Sequence, residues 1–140
     1  MNGQLQDSRI DVKVVLCGLW VTTLLVFAYV DIFGFYRADL INGVLAGRVA
    51  GLTIDQVFLV LTTLYIAAAA LMVTVSLLAP ARINRITNIA VSLFYVATAG
   101  ASLIGETWAY YIIGILIQIS LLLVITRVAW TWPRHTPANP

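Results

Sequence analysis

Residues 57–79 read Val57-Phe-Leu-Val-Leu-Thr-Thr-Leu-Tyr-Ile-Ala-Ala-Ala-Ala-Leu-Met-Val-Thr-Val-Ser-Leu-Leu-Ala79, an unbroken run without a single charge. The hydrocarbon core of a bilayer is roughly 30 Å thick, and about 20 residues of α-helix cross it. Such a run must be helical there, because lipid offers no water to an unpaired backbone N–H or C=O. Pro80, which cannot continue a helix, follows at once. Working outward, three further stretches meet the same length requirement: 12–30, 86–104 and 110–130. The expected fold is an all-α membrane protein, a four-transmembrane-helix bundle filling residues 1–134, with 135–140 as a short C-terminal tail. Composition agrees: 61% of residues are hydrophobic, 10% are charged and mean hydropathy is +0.98, whereas soluble domains carry about 25% charged residues. The run from residue 12 is longer than the apolar part of a signal peptide, so it reads as a retained first span.

Ser8 to Asp11 and Thr53 to Gln56 have capping-box spacing before the first and second spans. Asn84 or Thr87 is expected to cap the third helix and Thr107 the fourth. The second and third spans, and the third and fourth, are joined by short links, which makes those neighbours antiparallel. The segment 31–54 is the one long loop. Within it Ile41, Val44, Leu45, Val49 and Leu52 share a helical face, and Asp39 stands at an N-cap position. That pattern predicts a short helix lying in the membrane interface.

Basic residues set the orientation. Arg9, Lys13, Arg82, Arg85, Arg127 and Arg134 fall on one side, against Arg37 and Arg48 on the other. Both termini are therefore expected in the cytoplasm. Trp130 and Trp132 fit an inner aromatic belt, and Trp108, Tyr110 and Tyr111 an outer one.

Several chemistries are hard to build from these residues. Cys17 is the only cysteine and His135 the only histidine. One chain therefore supplies no disulfide, no bis-histidine haem, no Cys-x-x-Cys pair and no zinc cluster. No metal or cofactor is expected. A net charge of +2 is too small to suggest nucleic acid.

Two groups of residues stand out. Asp31 and Glu106 close the two outward-running helices, and Arg37 and Arg48 lie in the loop covering that level. With Trp108 and Tyr110 they form a candidate outer polar cluster, read either as headgroup-level charge or as a site that binds a cation or protons. Asp31 lies against the dipole of its own helix, so it is expected to pair with Arg37 or Arg48. The second group is a set of small and polar seams: Gln56, Val60, Thr63, Ala67, Ala70 and Thr74 on the second span; Asn88, Ser92, Tyr95, Ala99, Ser102 and Glu106 on the third; Tyr111, Gly114 and Gln118 on the fourth. Small residues let membrane helices approach closely, and hydroxyls and amides bond between them. A small four-helix drug exporter needs a carboxylate within its first helix, and none occurs there before Asp31.

Tyr29-Val-Asp31-Ile-Phe-Gly-Phe-Tyr36-Arg37, Asn84-Arg85-Ile-Thr-Asn88, Gly105-Glu106-Thr-Trp108-Ala-Tyr110-Tyr111 and Trp130-Thr-Trp132-Pro-Arg134 together resemble a family of small bacterial four-helix membrane proteins known only as a domain of unknown function. The chain departs from it at Ala38-Asp39, where the family tends to have Pro-Gly. A looser likeness to DoxX-like proteins rests on size and span count. The resemblance implies four spans and a bacterial inner membrane, and no activity. With no catalytic constellation in view, the expected role is that of a non-enzymatic binding, accessory or oligomer-forming subunit. Its partners would be the lipid bilayer and a further copy or membrane subunit. The alternatives are a small transporter or channel-like oligomer using the outer carboxylates, and a redox partner that meets lipid or quinone.

Overall fold

The computed structural model describes residues 10–133. Ser8, Arg9, Arg134, His135 and the 135–140 tail lie outside the described residues. The described residues form five helices: α1 (Val12–Gly34), α2 (Ala38–Leu45), α3 (Gln56–Leu78), α4 (Ala81–Ser102) and α5 (Ala109–Trp130). Between α2 and α3 stand two short strands, β1 (Arg48–Val49) and β2 (Leu52–Thr53). Helices α1, α3 and α5 are long and apolar enough to cross a membrane. At 1.5 Å per residue, 22 or 23 residues span about 34 Å.

Capping follows local chemistry more simply than the expected boxes. Asp11 caps α1, accepting from the Lys13 N–H at 2.7 Å, and Asp55 caps α3, accepting from the Phe58 N–H at 2.8 Å. Asn84 and Thr87, expected as caps, lie inside α4, because that helix starts directly after Pro80. A proline's fixed φ suits the entry to a helix, so no loop is needed. Thr107 does not cap α5 either. No side chain caps α5 among the described residues; the Glu106 carboxylate instead holds the turn before it, accepting from the N–H groups of Thr107 (2.8 Å) and Trp108 (2.9 Å). At its far end α1 runs on to Gly34, four residues beyond the expected 30.

The short helix after the first span is present, but it ends at Leu45. Val49 and Leu52, expected on its face, instead pair across an antiparallel ribbon, with Arg48 opposite Thr53. Ala50 and Gly51 between the strands have φ of 47° and 80°. Positive φ at both central residues is the two-residue hairpin geometry. The glycines in the loop broke the helix where its hydrophobic period alone would have carried it on. Asp39 falls in the first turn of α2, and the cap position belongs to Arg37.

The four long helices run antiparallel. Lys13 Nζ of α1 donates to the carbonyls of Leu77 (3.2 Å) and Ala79 (2.9 Å) where α3 ends. α5 packs against both α4 and α1, α1 also against α3, and α3 touches α4 least. The closed core lies toward the end that carries the termini: Leu16, Trp20, Ala69, Met72, Tyr95, Leu122, Ile125 and Ala129. At the opposite end, covered by α2 and the hairpin, the bundle opens.

Candidate functional site

Arg37 organises the open end. Its guanidinium reaches Asp39 Oδ2 at 2.6 Å and Glu106 Oε2 at 3.2 Å and lies 4.6 Å above the Trp108 ring. Asp39 raises the Arg37 pKa beyond its ordinary range against the opposing effect of burial, with smaller help from Tyr110 and Glu106. Arg37 in turn holds the Asp39 carboxyl below its usual value. Burial pushes Glu106 up, but the N–H groups of Trp108 and Thr107 and then Arg37 outweigh it, and the net direction is down.

The expected partner of Arg37 was Asp31, and here the structure corrects the reading. Asp31 makes no ion pair and no hydrogen bond among the described residues. Two features explain this. Asp39, two residues away on the first turn of α2, captures the guanidinium locally, and Asp31 lies exposed near the end of α1, lining the open space there. Arg48 lines the same space, without a carboxylate within ion-pair distance among the described residues.

That space is a vestibule of about 610 Å³ bounded by Asp31, Arg37, Asp39, Arg48, Glu106 and Tyr111, among others. Beneath it lies a second cavity of about 230 Å³, lined by all four long helices. Asp31, Ser102 and Tyr111 line both and form the neck between them. Below the neck are Phe27 and Val30 of α1, Tyr65 of α3, Thr98 of α4, and Ile115 and Gln118 of α5. Gln118 is 1% exposed, and its Oε1 accepts nothing among the described residues. In lipid an unbonded amide is costly, so this residue marks the cavity as a place where polarity has been left unspent.

An aromatic floor closes the cavity toward the termini. Phe27 meets Tyr65 and Tyr95 edge-on at 6.4 and 6.0 Å, and the Tyr65 and Tyr95 rings lie 4.6 Å apart. The Tyr95 hydroxyl donates to the Tyr65 carbonyl, and the Tyr65 hydroxyl shares a 2.7 Å bond with Thr98. Further down the polar groups satisfy one another. Trp20 Nε1 donates to Asn88 Oδ1 at 2.7 Å, as does Ser76 at 3.3 Å. Asn88 Nδ2 donates to Asn84 Oδ1 at 2.7 Å, Asn84 donates to the Ser76 carbonyl at 2.6 Å, and Ser92 bonds Thr126 at 2.8 Å.

The residues read as seams divide. Ser92, Tyr95, Ala99, Gly114 and Gln118 are buried between helices, and Ser102 faces the cavities. Thr63 and Ala70 lie exposed on α3 and Ala67 is half-buried, since α3 buries Ala69, Met72 and Ser76 instead. A run apolar on every side carries no stripe to fix its rotation. Trp108 and Tyr110 flank Arg37, Trp108 beneath the guanidinium and Tyr110 against Gly34. Tyr65, Thr98 and Phe27 were missed: nothing marks them within apolar runs. Asn84 had a signal, its i,i+4 spacing to Asn88 and then to Ser92, but was read as a cap.

The chain belongs to a family of unknown function, DUF6326, whose model matches residues 6–139. No curated protein and no solved structure matches it.

Proposed function

We propose that the chain is a four-span membrane protein, with both termini cytoplasmic, that binds a small ligand in the cavity at its loop end without transforming it. The cavity itself carries this reading: it lies within the bundle, is reached through a neck at Asp31, and holds the unpartnered Gln118 amide. Among the described residues its lining contains one carboxylate and no histidine, cysteine or lysine. That set can orient a ligand but lacks a paired acid and base. The Trp20–Asn88–Asn84–Ser76 network fills the other end of the bundle, which favours binding over passage.

The fourth span is α4. At 22 residues it matches α5 in length; Arg82 and Arg85 are confined to its first two turns, at the end that carries the termini, and Asn84, Asn88 and Ser92 are buried. Ile83, Ile86, Leu93 and Phe94 are left facing outward. Its polar stripe is therefore hidden from lipid by the bundle. The amphipathic α2, with the hairpin, would lie at the interface and roof the vestibule.

Cysteine accessibility tests the reading in a Cys17→Ala background. Ser102→Cys should react with a membrane-impermeant thiol reagent added on the side opposite the termini, and Ser92→Cys should not. Equal reaction at both positions, or none at Ser102→Cys, would remove the cavity. A periplasm-active reporter fused to the C-terminus should stay silent, and strong activity would reverse the orientation.

A further inference from the structure

Resting on the binding reading above, we propose that the ligand is a small organic cation bearing N–H donors, a protonated amine, with its charge on Asp31 and its apolar body against Phe27 and Ile115. The argument begins with where the hydroxyl hydrogens go. Thr62 donates to the Phe58 carbonyl at 2.9 Å, and Ser102 to the Ala99 carbonyl at 2.7 Å. Thr98 lies 3.1 Å from the Tyr95 carbonyl as donor, so in the 2.7 Å bond between them the Tyr65 hydroxyl gives its hydrogen to Thr98. A hydroxyl that has given away its one hydrogen can only accept. Of the hydroxyls lining the cavity, Tyr111 alone keeps its hydrogen, having no side-chain bond among the described residues. What the cavity offers a ligand is therefore chiefly lone pairs.

Charge agrees. Around the vestibule stand three carboxylates, Asp31, Asp39 and Glu106, and two guanidiniums, Arg37 and Arg48. Arg37 is already engaged by two of the acids, and Arg48 belongs to the hairpin above and does not line the inner cavity. Below the neck the charge is negative, from Asp31 alone. An anion would meet that charge with no cation to balance it, and burying it would be prohibitive. A metal ion would need several oxygen ligands converging on it, and among the described residues no group of acids, histidines or cysteines is arranged to hold one. Aromatic rings supply the remaining wall, with Phe27, Tyr65 and Tyr111 lining the cavity. Ring faces attract cations, more strongly where water is excluded. The Gln118 amide can turn either its oxygen or its nitrogen toward the cavity, and with the oxygen inward it is one more acceptor.

Benzylammonium is a suitable probe, with benzoate and benzyl alcohol as controls of matched shape. Each is titrated calorimetrically into the full chain in nanodiscs of zwitterionic phosphatidylcholine, which removes attraction to anionic lipid. Benzylammonium should bind about tenfold or more tightly than either control, and Asp31→Asn should abolish that margin. Gln118→Leu should weaken it less. The cation inference is overturned if benzoate or benzyl alcohol binds as well as benzylammonium, if Asp31→Asn leaves the affinity unchanged, or if no probe binds. Benzyl alcohol binding that survives Asp31→Asn but is lost on filling the cavity with Ala99→Phe would sink the cation and leave the binding reading standing. Failure of all three probes, together with an unreactive Ser102→Cys, would sink both.

Discussion

The two ends of this bundle spend their polar residues in opposite ways. Toward the termini, Trp20, Ser76, Asn84 and Asn88 bond to one another and are all fully buried. Toward the loops, Asp31 and Gln118 have no partner among the described residues and line open space. The surrounding helices are the same four. Burying an unpaired polar group costs far more than burying a paired one, so the closed network needs no purpose beyond cohesion, while the buried and unpartnered Gln118 amide has to be explained by what enters the space beside it. The difference separates polarity that holds the bundle together from polarity available to a ligand.

The largest expected effect breaks the closed end. Asn88→Leu strands the Trp20 N–H, the Ser76 hydroxyl and Asn84 Oδ1 in a buried core. Three groups without their partner should cost on the order of 3 kcal/mol. Interhelical bonds in membranes tend toward the low side of such figures, so a loss below about 1 kcal/mol in reversible detergent unfolding would show that packing alone holds this end.

Next comes the contact that joins α1 to α5 near the open end. A Cβ on Gly114 would collide with Val30 Cγ2, and valine is stiff at χ1. Gly114→Ala should therefore destabilise by about 2 kcal/mol through overpacking. Gly100→Ala is the control, because nothing lies within 4 Å of its Cβ position. It should be neutral, or stabilising by about 1 kcal/mol through helix propensity. Equal effects would mean that the helices do not approach closely at Gly114.

Gln118→Leu sharpens the contrast by changing sign. Removing an unsatisfied amide in favour of an apolar side chain of similar size should leave stability unchanged or raise it by about 1 kcal/mol. Asn88 and Gln118 are both buried amides, and only their partners differ. A loss on Gln118→Leu as large as that on Asn88→Leu would erase the distinction between the two ends.

How much of this could be read in the sequence follows the same physics. Length and apolarity pointed to four spans, and α1, α3 and α5 are long and apolar enough to cross a membrane; the short helix after the first was legible in the hydrophobic period of its own residues. On α4 the spacing of Asn88, Ser92, Tyr95 and Ala99 gave the buried face, since a polar stripe on an otherwise apolar helix has one direction to turn. On α3 the same reasoning misplaced Thr63 and Ala70, where threonines and alanines sit among leucines and the hydroxyls bond back to their own helix. Rotation there is set by packing partners that no local pattern records. The ion pairs failed differently: Asp31, Asp39 and Glu106 were all within conceivable reach of Arg37, and the turn into α2 decided among them.

The smallest effect concerns that choice, and it tests which acid pins the roof of the vestibule. Arg37 bridges α2 to Glu106, so Glu106 and not Asp31 should hold the segment 37–53 against the bundle. Glu106→Gln keeps an oxygen for the Thr107 and Trp108 N–H groups and removes only the charge, whereas Glu106→Ala removes those turn bonds as well. Protection of residues 37–53 from hydrogen exchange should fall most for Glu106→Ala, less for Glu106→Gln, and not at all for Asp31→Asn. Partly exposed pairs contribute about 1 kcal/mol or less, so the changes should be modest. The pH dependence has a definite sign. Glu106 titrates below its ordinary 4.5 in the folded protein, so its contribution is complete above that value and disappears as pH falls through the lowered one. Asp39, lowered by the same guanidinium, acts in the same direction. Protection factors for the segment should hold constant at neutral pH and decline in acid, with a shallower decline in Glu106→Gln. A loop loosened more by Asp31→Asn than by Glu106→Gln would return Asp31 to a structural role and take away its availability to a ligand.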